Sequence, residues 1–318
     1  MDIKSHDPFI SRRVVIDCSR PFQELFMQFC FKGLCFHRKV ALIVTAAAIA
    51  GSIMIALVCV FIVSSAAADG TDERLGYSQV TRKKDIGVKR GEPVAVVELF
   101  TSEGCSSCPP ADRNLQRLAR LGMTTQRNLI PLSFHVDYWN DLGWTDPLSQ
   151  SAFSDRQREY AAAMQTSNVY TPQMIVNGQV EFVGSSEKAS DKAIERALKT
   201  PVKHLVDLTI PEVGAGQKLQ LRYHVEAVNP ATDADSDFVL NVAIVSEIET
   251  FDVPRGENEG KKLSHAWVVK SFEVLSLEKQ DGVLEIDTKY IKPGHTRLVA
   301  YVQARESWEI TGASTIPR

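Results

Sequence analysis

An almost unbroken apolar run, Val94-Ala95-Val96-Val97-Glu98-Leu99-Phe100, is followed by apolar residues at helical spacing from about Ala111 onward. Between the two segments stands Cys105-Ser106-Ser107-Cys108. Two thiols separated by two residues, at a turn from strand to helix, can open and close one disulfide reversibly. This placement restricts the chain to folds that set a buried strand directly before a helix N-terminus. The absence of alternation in the first run predicts a strand covered on both faces. The other cysteines, Cys18, Cys30, Cys35 and Cys59, all precede residue 70, so the later part of the chain offers the pair no rival partner. Cys30 and Cys35 with His37 do not follow a zinc-ligand spacing and read as part of an unstructured tail.

At 318 residues the chain has room for two domains and an appended segment. Its net charge is −3 with both signs interspersed, and no basic stripe marks it as a nucleic-acid binder. Residues 40–63 carry no charge and only Thr45 and Ser52 as polar breaks, long enough to span about 30 Å of hydrocarbon. His37-Arg38-Lys39 precede this run and Asp69, Asp72 and Glu73 follow it. The charge asymmetry places residues 1–39 in the cytoplasm and residues 70–318 in the periplasm or outside, with 40–63 as a membrane anchor. The alternative is a cleaved signal ending at Ala68, with Met27 as a start that would shorten it. Both readings export the dithiol to an oxidising compartment. Residues 64–91 read as a linker.

From 92 to 200 strand and helix patterns alternate. Leu129–Val136 predicts a second strand, and Asp146-Pro147 a helix start with Phe153, Tyr160 and Met164 on one face. Asn177-Gly178 predicts a hairpin between Met174–Val176 and Gln179–Val183, and a closing helix carries Ala189, Ala193, Ile194 and Leu198. After Pro201 the apolar period changes to two, as in Leu219, Leu221, Tyr223 and Val225, then Leu240, Val242 and Ile244, then Leu298, Ala300 and Val302. This pattern predicts an antiparallel sandwich of about seven strands over 201–318.

Val97 to Asp112, spanning the two cysteines, resembles the DUF1223 family of exported, thioredoxin-like bacterial proteins. So do His135-Val136-Asp137-Tyr138-Trp139, Trp144-Thr145-Asp146-Pro147, Tyr170-Thr171-Pro172-Gln173, Arg255–Gly260 and Val299–Gln303. The resemblance implies a thioredoxin-like domain over 92–200; with the all-β antiparallel sandwich domain that the period of two predicts over 201–318 and the one transmembrane helix that the charge-free run predicts before both, the expected fold class is α/β. It further implies that Cys105 is the attacking thiol, Cys108 the resolving thiol, and Thr171-Pro172 a cis bond beside them that presents the Thr171 backbone to a substrate strand. Glu98 would be the proton acceptor for Cys108, against the simpler reading of a strand-end acid that is paired or solvated.

Pro109 and Pro110 remove first-turn donors, so an irregular turn is expected, with regular helix starting near Pro110. Glu103 opposes thiolate formation at Cys105. The chemistry expected is thiol–disulfide exchange with protein thiols or disulfides, aided by a redox partner protein and needing no cofactor. It requires sulfurs that reach each other and are open to solvent. Two other readings stand beside it. One is a Cu(I)-type metallochaperone with His135 as the available third ligand. The other is a non-catalytic envelope-binding module. His135 and Asp137 share a strand face, Tyr138, Trp139 and Trp144 are candidates for a substrate-facing rim or for loop anchors, and His265 is ambiguous.

Overall fold

The computed structural model describes residues 88–211, 219–233 and 237–317. The tail, the anchor or signal segment, the early cysteines and the linker up to residue 87 lie outside the described residues. Among the described residues no helix is long and apolar enough to cross a membrane.

The order begins β1 (Ala95–Thr101), α1 (Pro109–Thr125), β2 (Leu129–His135), α2 (Ser151–Ala163), β3 (Gln173–Val176), β4 (Val180–Val183) and α3 (Glu187–Ala197). It continues with β5 (His204–Thr209), β6 (Gln220–Ala227), β7 (Phe238–Asp252), β8 (Lys262–Ser276), β9 (Asp281–Glu285), β10 (Thr296–Ala304) and β11 (Ile310–Pro317). All seven residues of β1 are buried, as its unbroken apolar run requires. β1 pairs parallel with β2 and antiparallel with β3. One face of β1 packs Ala95, Val97 and Leu99 against Leu115 and Leu118 of α1 and Ile194 of α3. The other packs Val96 and Phe100 with Phe134, Phe153 and Tyr160.

Asn177 and Gly178 both have positive φ, 48° and 67°, which is the twist that a two-residue hairpin turn demands. The Asn177 side chain accepts the Val96 N–H at 2.7 Å and donates to the Val94 carbonyl, tying the β3–β4 hairpin to β1. α2 starts at Ser151, with Gln150 as N-cap, and not at Asp146-Pro147 as the sequence suggests. The Asp146 carboxylate instead closes a buried turn, accepting the Leu148 N–H at 2.8 Å.

The sheet topology corrects the expected fold class. A single eight-stranded mixed sheet runs β11-β10-β7-β8-β2-β1-β3-β4. β8 lies parallel to β2, with Ser133 opposite Val268, so the strands after residue 201 continue the sheet that holds the dithiol. A thioredoxin-like α/β domain followed by a separate all-β sandwich domain is therefore not what forms; the architecture is mostly β, and the described residues belong to one compact unit. Of the strands after residue 201, only β5, β6 and β9 form a second sheet. Val206, Leu208, Leu221 and Val225 of that small sheet pack on Leu240, Val242, Leu298 and Ala300 of the large one. The period of two reports these one-sided contacts correctly, but β7 and β10 also bury their other face, with Ala243, Val245, Val299 and Tyr301 in the core under α2.

β7 and β8 are each 15 residues long, and their pairing slips near Ile244/Val245. Such an irregularity sharpens the local twist of a ladder. Beyond it the hairpin continues to a tip at 253–261, which reaches the cysteine loop.

Candidate active site

Cys105 and Cys108 form a disulfide with a Cα–Cα distance of 5.4 Å. The backbone from Ser102 is a succession of turns, with Cys105 N–H donating to Ser102 O and Cys108 N–H to Cys105 O. Cys108 is the N-cap of α1, and Pro109 and Pro110 occupy the first helical positions, where a missing N–H costs no hydrogen bond. The regular helix thus begins within one residue of the expected place.

Thr171-Pro172 is cis. The Thr171 carbonyl lies 3.9 Å from Cys105 Sγ, and Ser107 Oγ lies 3.2 Å from the same sulfur. Trp139 Nε1 donates to Thr171 Oγ1 at 2.8 Å, so this ring anchors the proline loop. Four of the five expected site residues, Cys105, Cys108, Thr171 and Pro172, therefore converge.

Glu98 does not join them. It points to the α2 face of β1, where Arg156 donates to both carboxylate oxygens at 3.0 and 3.2 Å. Tyr301 and Tyr160 hydroxyls donate to the same oxygens. Arg156 in turn sits 4.8–5.9 Å from the centres of five aromatic rings, those of Phe134, Tyr160, Phe272, Tyr301 and Trp308. The pairing raises the Arg156 pKa: burial alone would lower it, and the Glu98 charge overrides that.

The expectation of an open redox face also needs correction. Cys105 is 1% exposed and Cys108 0%, while Ser106 and Ser107 between them are exposed. The tip of the β7–β8 hairpin lies over the loop. Buried Asn258 donates from its amide to the Glu103 and Cys105 carbonyls at 2.8 and 2.9 Å. Glu257 accepts the Ser106 N–H at 2.9 Å, and hydrogen bonding from the Ser106 hydroxyl, then from this N–H, lowers the pKa of its carboxyl. At Gly256, φ is +82° and an added Cβ would meet the Trp144 Cβ at 3.1 Å, so only glycine lets the tip settle there.

Behind the disulfide lies a buried polar cluster that the sequence reading touched only piecemeal. Glu103 Oε1 is 3.1 Å from His265 Nε2, and its Oε2 accepts from Trp144 Nε1 at 2.9 Å. Asp112 Oδ1 accepts from Thr101 Oγ1, and Asp112 Oδ2 stands 3.6 Å from His265 Nδ1. Burial lowers the His265 pKa, but the Asp112 and Glu103 carboxylates outweigh it and raise it to about 10. Asp146 accepts the Glu103 N–H and lies 2.7 Å from His135 Nδ1. Burial raises the Asp146 pKa; the His135 charge and these hydrogen bonds more than reverse that, to about 2. The His135 and His265 rings meet edge to face at 4.6 Å.

His135, the third ligand needed by a metallochaperone, has its Nδ1 on Asp146 while its buried Nε2 has no hydrogen-bond partner, and Asp137 accepts from Ser154 on α2. Among the described residues no group of three His, Cys, Asp or Glu side chains is placed to hold a metal ion. Trp139 and Trp144 are loop anchors, while Tyr138 is partly exposed with its hydroxyl on Gln157.

The model of the family described as protein of unknown function (DUF1223) matches residues 96–303, a span that holds the disulfide, the cis proline, the hairpin tip and the buried cluster. The chain belongs to the DUF1223 family. This DUF1223 chain is also similar to the crystal structure of protein AGR_C_4864 from Agrobacterium tumefaciens, at 28% identity and a TM-score of 0.54, covering 71% of this chain and 95% of that one. HBP35 of Porphyromonas gingivalis is similar in fold alone, at 13% identity and a TM-score of 0.50, covering 71% of this chain and 76% of that one. No curated protein matches the DUF1223 chain significantly by sequence.

The acids and histidines that line the DUF1223 site come from distant segments, so chain spacing does not bring them together. Asp112 follows Cys108 by one helical turn, a signal readable from spacing. His265 and Asn258 reach the site only because β8 joins β2.

Proposed function

We propose that this protein is an exported thiol–disulfide oxidoreductase acting on protein cysteines, with Cys105 and Cys108 as its redox pair. The observation that carries the reading is the bonded pair at the N-terminus of α1, with the carbonyl before the cis proline 3.9 Å from Cys105 Sγ. The export part of the proposal rests on the charge-free run at 40–63.

In the oxidising direction a substrate thiolate attacks Cys105 Sγ. The Cys105–Cys108 bond breaks, and Cys108 leaves with the electron pair and takes up a proton. A second substrate thiolate then attacks the mixed disulfide and expels Cys105, so the substrate loses two electrons and the protein pair gains them. The reducing direction is the reverse. Because both sulfurs are covered, either direction requires the 253–261 tip to move first. The cover thereby acts as a gate.

The test is equilibration of the whole protein in glutathione buffers spanning about −120 to −300 mV, followed by trapping of free thiols. A reversible two-electron transition, lost in Cys105→Ser and Cys108→Ser, is the expected result. A pair that stays bonded throughout, or variants that keep full cellular function, would overturn it.

A further inference from the structure

The tip bonds to Glu103, Cys105 and Ser106, so its opening uncovers the Cys105 side, while Cys108, 0% exposed at the N-cap of α1, is left with a buried sulfur anion when the disulfide breaks. A buried charge without a partner is expensive, so the proton must be exchanged with a group inside the fold. Among the described residues five buried carboxylates are available, Glu98, Glu103, Asp112, Asp146 and Glu247. Glu98 has both oxygens taken by Arg156 and two tyrosines, on the α2 face of β1. Glu103 has one oxygen on His265 and one on Trp144. Asp146 is held by His135 and two backbone N–H groups, and Glu247 pairs with Arg297 at 2.7 Å.

Asp112 differs. Its Oδ2 is buried and has no hydrogen-bond partner, although the residue is only 5% exposed. His265 Nδ1, also without a hydrogen-bond partner, faces it at 3.6 Å. Asp112 follows Cys108 by four residues on α1, and its backbone N–H donates to the Cys108 carbonyl at 3.1 Å. Positions four apart share one helix face, and side chains lean toward the helix N-terminus, which here is the cysteine end.

We infer that Asp112 holds the proton exchanged with Cys108, and that His265, steadied by Glu103, is the positioning residue that keeps this carboxyl oriented. The inference rests on the redox reading above. In the reducing direction Cys108 gives its proton to Asp112 Oδ2 as the sulfur attacks the mixed disulfide on Cys105. In the oxidising direction an Asp112 that has taken up this proton returns it as Cys108 leaves with the electron pair. The charged and titratable groups around Asp112 are His265 on β8, Glu103 and Asp146 on the flanking loops, and His135 on β2 behind His265.

The test uses reduced full-length protein mixed with oxidised glutathione, acid-quenched over time and weighed by mass spectrometry. The parent is expected to pass through a glutathionylated species only briefly. In Asp112→Asn that species persists, with resolution slowed about 10²-fold near neutral pH and rising more steeply with pH, and Asp112→Glu recovers most of the rate. His265→Gln is expected to alter the pH profile of resolution. Superimposable profiles for Asp112→Asn and the parent would overturn the inference and leave the redox reading standing. A parent that never exchanges with glutathione overturns both. Should Asp112→Asn fail to fold, the infrared difference between oxidised and reduced parent decides. A carboxyl C=O band that changes with redox state, and moves in Asp112→Glu, supports the role; no such band removes it.

Discussion

The Glu98–Arg156 pair is sealed between β1, α2 and β10, with side-chain exposures of 0% and 6%. Removing one partner of such a pair strands the other without compensation, so Glu98→Gln is expected to lower stability by about 3–5 kcal/mol in urea titrations. If its role were redox chemistry alone, stability would hold and only exchange rates would fall. His265 makes a second residue-scale prediction. Its folded pKa, about 10, lies above the ordinary 6.5, so its stabilising contribution is complete below about 6.5 and is lost as pH rises through 10. The melting-temperature gap between the parent and His265→Gln should therefore be widest at mildly acidic pH and shrink toward pH 10. Asp146 runs the other way. Its pKa falls from 3.8 to about 2, so its contribution is present above 3.8 and disappears as pH drops through 2. Asp146→Asn and parent melting curves should converge at that acid limit.

At the scale of elements, the β7–β8 hairpin serves two ends. Its middle joins the core sheet, and its tip clamps the cysteine loop through Asn258 and Glu257. Two buried amide hydrogen bonds at about 1 kcal/mol each hold the clamp on the Asn258 side. Asn258→Ala should therefore raise the rate at which dithiothreitol reduces the disulfide by roughly 5–30-fold, with fold stability changed far less. Thiol-trapping kinetics measure this. An unchanged rate would mean that reagents reach the sulfurs by a path that leaves the tip in place. Gly256→Ala should act in the same direction by forcing the tip away from Trp144.

For the whole molecule, the decisive feature is that strands from both ends of the described chain share one sheet. Residues 88–200 alone would lack β7, β8 and β10, exposing the edge of β2 and removing Tyr301 and Gln303 from around Arg156. Neither 88–200 nor 201–318 is expected to unfold cooperatively by itself in denaturant, whereas 88–318 should give a single transition. Two independent cooperative transitions from the separate halves would contradict the continuous sheet.

Local pattern was enough for the parts of this protein whose causes are local. The apolar run of β1, the turn at Asn177-Gly178, the helix start after Cys108 and the nearness of two cysteines all follow from neighbours within a few residues. The family, too, was legible in short motifs. A period of two reported which residues of β7 and β10 face the small sheet, yet carried no sign that their opposite faces meet α2. Pairing β8 with β2 was a tertiary event, and it alone delivered His265 to Glu103 and Asn258 to the cysteine loop. Glu98 was drawn to Arg156 rather than to Cys108 for the same reason: a buried charge takes the partner that the assembled layers offer, and chain spacing does not encode those layers.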